Sequence, residues 1–151
     1  VVDEGPADDE AARVGAAAAL IELGRVAEAL AVIPDDDHLA PRLAGLRGSA
    51  LHLTGDAAEA RRLLEQAWSG GERDPLVALH LARALATAGL LEDSAAPYRR
   101  VLDVAPDRLS VDDCYSVATT AALGGFGDIS QEEKAEHIER LVTRAGRRLR
   151  D

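Results

Sequence analysis

The chain has 151 residues, a net charge of −10 and only 3% aromatic residues. That length suffices for one buried core, which must be built from Ala, Leu and Val, a composition better suited to closely packed helices than to a sheet sandwich. The acidic balance disfavours nucleic acid and anionic membrane surfaces as partners, and a single cysteine, Cys114, excludes an internal disulfide and a Cys-based metal site.

Residues 1–8 are polar and read as a flexible leader. Asp8 or Asp9 caps a helix over about 9–23 that ends at Gly24. A short helix over about 25–33 is closed by Pro34. The Asp35-Asp36-Asp37 loop leads to a helix from about Leu39–Pro41 to Thr54, stopped at Gly55. Asp56 and Glu59 have capping-box spacing before a helix that reaches about Ser69 and ends in Ser-Gly-Gly. Asp74-Pro75 is a strong helix start, for a helix over about 75–88 that Gly89 ends. The next helix covers about 91–103 and carries Pro97 inside it, with an early start and a mild distortion expected. A helix over about 110–123 is followed by a turn lengthened by Gly124-Gly125-Phe126-Gly127-Asp128. A second capping box, Ser130 to Glu133, opens a last helix over 131 to about 149.

These elements repeat. Pro41, Gly48, Ala50, Leu51 and Gly55 superimpose on Pro75, Ala82, Ala84, Leu85 and Gly89 at an offset of 34 residues, and Ala60, Leu64 and Ala67 on Ser94, Tyr98 and Val101. A third copy lies 31 residues upstream, with Ala17, Ala19, Leu20, Gly24 and Ala29 preceding Gly48, Ala50, Leu51, Gly55 and Ala60. A fixed period of this size means stacked helix pairs. The units read as about 9–38, 39–73 and 74–108, then a degenerate unit with a capping helix over 109–150, all in one domain over 9–151.

The segments Leu81-Ala82…Leu85…Gly89…Ser94…Tyr98…Val101…Pro106 and Gly48…Leu51…Gly55…Ala60…Leu64…Ala67 resemble the tetratricopeptide repeat. The resemblance covers 10–108 well and 109–149 loosely. It departs at Arg13, Ala44 and Ala78, where the family carries a large aromatic residue. It implies an all-α, right-handed superhelical stack of antiparallel helix pairs, with about eight helices. A small residue in each helix of a pair lets the backbones approach, so Gly48, Ala60, Ala82 and Ser94 are expected at buried crossings.

Few residues point to chemistry. Asp35-Asp36-Asp37-His38 holds metal-ligand types, but adjacent carboxylates converge only in a tight loop, so a turn is expected in which Asp36 or Asp37 caps the next helix. His52 and His80 read as half-exposed histidines, and no partner set for a nucleophile or base is legible. Cys114 reads as a buried structural thiol rather than a dipole-activated one. The Gly124–Gly127 stretch follows a helix and lacks the Lys-Ser/Thr of a phosphate loop. Trp68 reads as a packing residue between units. No catalytic residue, metal or cofactor is expected.

The expected function is a non-catalytic scaffold that binds a protein or peptide on the concave surface lined by the first helix of each pair. The positions flanking the core are Arg42, Ser49, His52, Leu79, Arg83 and Thr87. The family's grip on a C-terminal carboxylate uses Lys and Asn, and residues 10–90 contain neither. The other reading is a sensory or regulatory arm of a larger bacterial transcriptional regulator or signalling protein. The last helix carries Ile138, Leu141, Val142, Ala145 and Leu149 at helical spacing. It is expected to cap the stack around Val117 and Ala121, giving a monomer or weak homodimer. Its Arg140, Arg144, Arg147 and Arg148 form an alternative docking face for an acidic partner, including another copy of this chain. No apolar run reaches membrane-spanning length and no signal peptide is visible, so a cytoplasmic setting is expected. The absence of Met implies a piece of a longer protein. Arg in place of Lys everywhere except Lys134, with abundant Ala and Gly, implies a GC-rich bacterial source.

Overall fold

The computed structural model describes residues 6–122 and 130–150. Eight α-helices run through them: α1 (Pro6–Glu22), α2 (Val26–Val32), α3 (Pro41–Thr54), α4 (Ala57–Ser69), α5 (Pro75–Thr87), α6 (Leu91–Val104), α7 (Val111–Ala122) and α8 (Gln131–Arg150). A 3₁₀ turn, Pro106–Arg108, joins α6 to α7, and no strand occurs among the described residues. The fold is all-α, as the sequence requires. Residues 1–5 of the expected leader and the turn at 124–127 lie outside the described residues. Residues 6–8 already belong to α1. The chain divides into two compact units, Val1–Arg73 and Asp74–Asp151. The division falls at the boundary between the second and third sequence repeats.

In the first unit α1 packs on α2 and α3 on α4, while α3 also leans on both α1 and α2. In the second, α5 packs on α6 and α7 on α8, with α6 against α7. The small residues lie where the repeat puts them. Ala17 and Ala29, Ala82 and Ser94, and Ala60 opposite Gly48 are fully or almost fully buried. At Gly48 the reason is explicit: a Cβ there would sit 2.8 Å from Leu64 Cγ and 3.1 Å from both the Ala60 carbonyl oxygen and the Leu64 nitrogen. Leu64, Tyr98 and Val101 are the large residues that close the same seams, each 1% exposed or less. In the degenerate unit the register is lost: Ser116, 34 residues after the buried Ala82, is only half-buried, and Val117 is interior instead.

Helix ends recur as well. Gly24, Gly55 and Gly89 take left-handed φ values of 76°, 93° and 80°. At each, the glycine N–H and the next N–H turn back onto the helix carbonyls, as in Gly55 N to His52 O at 3.4 Å and Asp56 N to Leu51 O at 3.1 Å. This is the paired closure of a Schellman motif.

That closure overturns one expectation. The Asp56–Glu59 capping box does not form, and Asp56 makes no side-chain cap bond. The Asp56 N–H that Glu59 would cap is already given to Leu51. Glu59 instead accepts from Arg62 at 2.6 and 2.9 Å. Ser130 and Glu133 do form the box: Glu133 N donates to Ser130 Oγ at 3.1 Å and Ser130 N to Glu133 Oε2 at 3.3 Å.

Asp74 caps α5 by accepting from Leu76 N at 3.0 Å, ahead of Pro75. Asp74→Ala is expected to lower unfolding free energy by about 1 kcal/mol, read as a lower midpoint in urea with an unchanged slope. Pro97 lies inside α6 and is buried, the early-start arrangement its position implied.

Candidate functional site

The six positions expected on a partner-binding surface divide between the two units. Ser49 is 0% exposed and Leu79 is 3% exposed, so both are interior residues and neither offers a side chain to a partner. The cause is the enclosure of the first helices of the pairs. In α3 seven residues between Leu43 and Ala50 are buried, and α5 buries every residue from Val77 to Ala82. His80 is interior for the same reason, 3% exposed rather than half-exposed. Arg42 reaches Glu72 at 3.5 Å and so ties the start of α3 to the segment after α4. His52 is half-buried and Thr87 is exposed.

Ser49 Oγ is fully buried and has no hydrogen-bond partner among the described residues. A buried hydroxyl without a partner keeps its desolvation cost. Ser49→Ala is therefore expected to leave stability unchanged or raise it by about 1 kcal/mol, measured by urea unfolding.

Arg83 belongs to a polar cluster within the second unit. Its Nε lies 3.0 and 3.1 Å from the two Asp113 oxygens, and its Nη2 lies 2.6 Å from Oδ2. Asp113, the third residue of α7, closes a capping box with Ser110. It accepts from Ser110 N at 3.0 Å and Ser110 Oγ at 2.8 Å, while its own N–H donates to Ser110 Oγ at 3.1 Å. Tyr98 Oη completes the cluster at 3.5 Å from Asp113 Oδ1. Burial alone would raise the Asp113 carboxyl, but hydrogen bonds from Arg83 and Ser110 outweigh it and hold the group below its ordinary value. Burial, then the Asp113 charge, pushes Tyr98 up to about 12. Every acceptor in the cluster is engaged, so it is a lock between α5, α6 and α7. The Ser110-x-x-Asp113 spacing is the sequence signal that points to it.

The remaining candidates resolve simply. The Asp35–Asp37 loop is exposed. Asp36 caps no helix: its Oδ1 accepts the His38 N–H at 2.9 Å in an Asx turn, and Ala40 stands at the N-cap of α3. Arg47 donates to the Ile33 carbonyl at 3.2 Å, just past the end of α2, and lies 3.7 Å from Asp35. Cys114 is buried, 1% exposed, and forms no disulfide. Trp68 is half-buried, and the Arg73 guanidinium lies 3.7 Å from its ring centroid. Among the described residues, no three His, Cys, Asp or Glu side chains gather as a metal-binding group, and no helix is long and apolar enough to cross a membrane.

The open feature of the second unit is a groove of about 630 Å³ between the 3₁₀ turn and α8. It is lined by Asp107, Glu136, Glu139, Arg140, Thr143 and Arg147. Two of the four arginines read as a docking face, Arg140 and Arg147, are exposed there. The side chains of Arg144 and Arg148 lie outside the described residues, as do those of Ala121, Ala145 and Leu149. Leu141 is 3% exposed and α8 packs on α7, whereas Val142 of the same expected apolar stripe is 44% exposed. Glu136, Glu139 and Thr143 were not singled out by sequence, although Glu136, Arg140, Thr143 and Arg147 follow one another at four-, three- and four-residue spacing, a one-face signal.

No family model matches this chain, and neither a curated protein nor a solved structure matches it.

Proposed function

We propose that the chain is a non-catalytic helical-repeat scaffold that binds a protein or peptide, in the manner of the tetratricopeptide repeats its sequence resembles. The observation that carries this reading is the recurrence of one packing solution. Ala17/Ala29, Gly48/Ala60 and Ala82/Ser94 occupy buried positions in three successive helix pairs. The usual use of arrays of such pairs is to hold an extended partner along their first helices. Here His52 of α3 and Thr87 of α5 are the accessible members of the expected set, with Arg42 beside them in sequence order but occupied by Glu72. A bacterial, cytoplasmic setting belongs to the same reading.

The test is a phage-displayed random-peptide library panned against the immobilised chain. Enriched peptides are expected to bind at least about tenfold more weakly to His52→Glu or to Thr87→Arg, a loss on the 1.4 kcal/mol scale of one good contact. A library that enriches nothing, or peptides indifferent to both substitutions, counts against the scaffold reading.

A further inference from the structure

The exposed side of α8 carries an ordered charge pattern that the scaffold reading does not use. Glu132, Glu136, Glu139, Arg140, Thr143 and Arg147 are all exposed. At 3.6 residues per turn they fall within about 100° of the helix circumference. Leu141, the residue α8 buries, lies on the opposite side of the wheel. The stripe is acidic toward the N-terminus and basic toward the C-terminus. Among the described residues, no ion pair engages any of its charges.

The spacing of the stripe reads the same in both directions: 4, 3, 1, 3 and 4 residues. A two-fold axis crossing α8 between Glu139 and Arg140 therefore exchanges Glu132 with Arg147, Glu136 with Thr143, and Glu139 with Arg140. Glu132 and Glu139 each meet an arginine and Glu136 meets a neutral hydroxyl, so no like charges are opposed over about 22 Å of helix. Self-complementarity of this kind is what an isologous interface requires, because each residue must meet the partner's equivalent position. A parallel alignment would set like charges against each other. The groove alongside, with Asp107 on its far lip, gives the opposing side chains room.

The geometry points to a second copy of this chain as the occupant of the stripe, in an antiparallel α8-to-α8 pair about that axis. The pair is weak, since exposed ion pairs contribute little each. A different arrangement of the same charges, in which the arginines of α8 dock on the acidic first unit of another copy, makes the opposite prediction for the glutamates and is distinguished below.

The test is sedimentation equilibrium of the full chain from micromolar to millimolar concentration. A salt near 0.15 M gives a Debye length of about 8 Å, which screens the net repulsion between two acidic copies while leaving contacting pairs. Wild type is expected to shift with concentration from 15.9 kDa toward twice that mass. Arg140→Glu/Arg147→Glu and Glu132→Arg/Glu139→Arg are each expected to weaken self-association by about tenfold or more. An equimolar mixture of the two is expected to form the heterodimer, because each of the four arginines on one stripe then faces a glutamate on the other. Circular dichroism of each variant shows that α8 stays helical. A wild type that remains monomeric throughout overturns the proposal. So does a Glu132→Arg/Glu139→Arg variant that associates as well as wild type or better, which is the result docking on the acidic unit would give. Neither outcome bears on the peptide-library result at His52 and Thr87.

Discussion

Arg83→Leu is expected to lower the unfolding free energy by about 3 kcal/mol, the cost of leaving a buried charge without its partner. The Asp113 side chain is 5% exposed, and its oxygens receive Arg83 Nε and Nη2 as well as Ser110. Removing the guanidinium leaves Ser110 as the main donor to a desolvated carboxylate. The double variant Arg83→Leu/Asp113→Leu is expected to recover a large part of that loss, since replacing both partners of a buried pair by apolar groups is often neutral. The pH dependence separates this account from simple loss of packing. In wild type the Asp113 carboxyl is held below 3.8. Its contribution is present above the unfolded value and is lost as pH falls through the lower folded value. In Arg83→Leu the hydrogen bond and the charge of Arg83 no longer lower the carboxyl, so its folded value rises relative to wild type. The variant is then expected to gain stability relative to wild type as pH falls through the range between the two folded values. Urea midpoints measured across that range check the sign. Parallel curves for the two proteins would mean that the Arg83 contact contributes packing alone.

Much of this fold was legible because its punctuation is local. Asp74-Pro75, the glycines at 24, 55 and 89, and Ser130–Glu133 each specify a helix end from a few neighbouring residues. The structure places helix ends within about two residues of those readings. The crossings at Gly48/Ala60 and Ala82/Ser94 were legible for a different reason, since a recurring demand for small side chains leaves a period. What was not legible depends on contacts far apart in sequence. Asp113 has an ordinary local role as a capping residue, and nothing nearby announces that Arg83 will reach it. Ser49 and Leu79 were placed on a surface because helical periodicity tells which residues share a face. It does not tell how many neighbours enclose the helix, and α3 and α5 are covered on more than one side. Asp56 failed as a cap because the preceding helix closes on the same N–H, a competition visible only when two helix ends are considered together. The α8 stripe was half seen. Its arginines stood out as a run, while Glu132, Glu136 and Glu139 on the same face were not singled out.

Gly48→Leu is expected to destabilise the chain by about 3 kcal/mol, at the upper end of the cost of overpacking a well-filled site. The intrinsic helix preference runs the other way, because glycine inside a helix is unfavourable by about 1 kcal/mol relative to alanine. At this position sterics win. A Cβ alone would lie 2.8 Å from Leu64 Cγ, and two of its next contacts, at 3.1 Å, are backbone atoms of α4 that no rotamer change can move. A leucine carries three further carbons into the same gap, so α3 and α4 must separate. Leu64 and Ala60, both fully buried, would lose their contacts as they do. Gly15 supplies the internal control. It also lies within a helix, α1, but an added Cβ there meets nothing within 4 Å. Gly15→Ala is therefore expected to raise stability by about 0.5–1 kcal/mol. The two glycines thus predict shifts of opposite sign in the urea midpoint. If Gly48→Leu melts with wild type, the close approach of α3 and α4 is not what selects glycine at that crossing. The pairing of Gly48 with Ala60 would then lose its role as the packing signal shared by the three helix pairs.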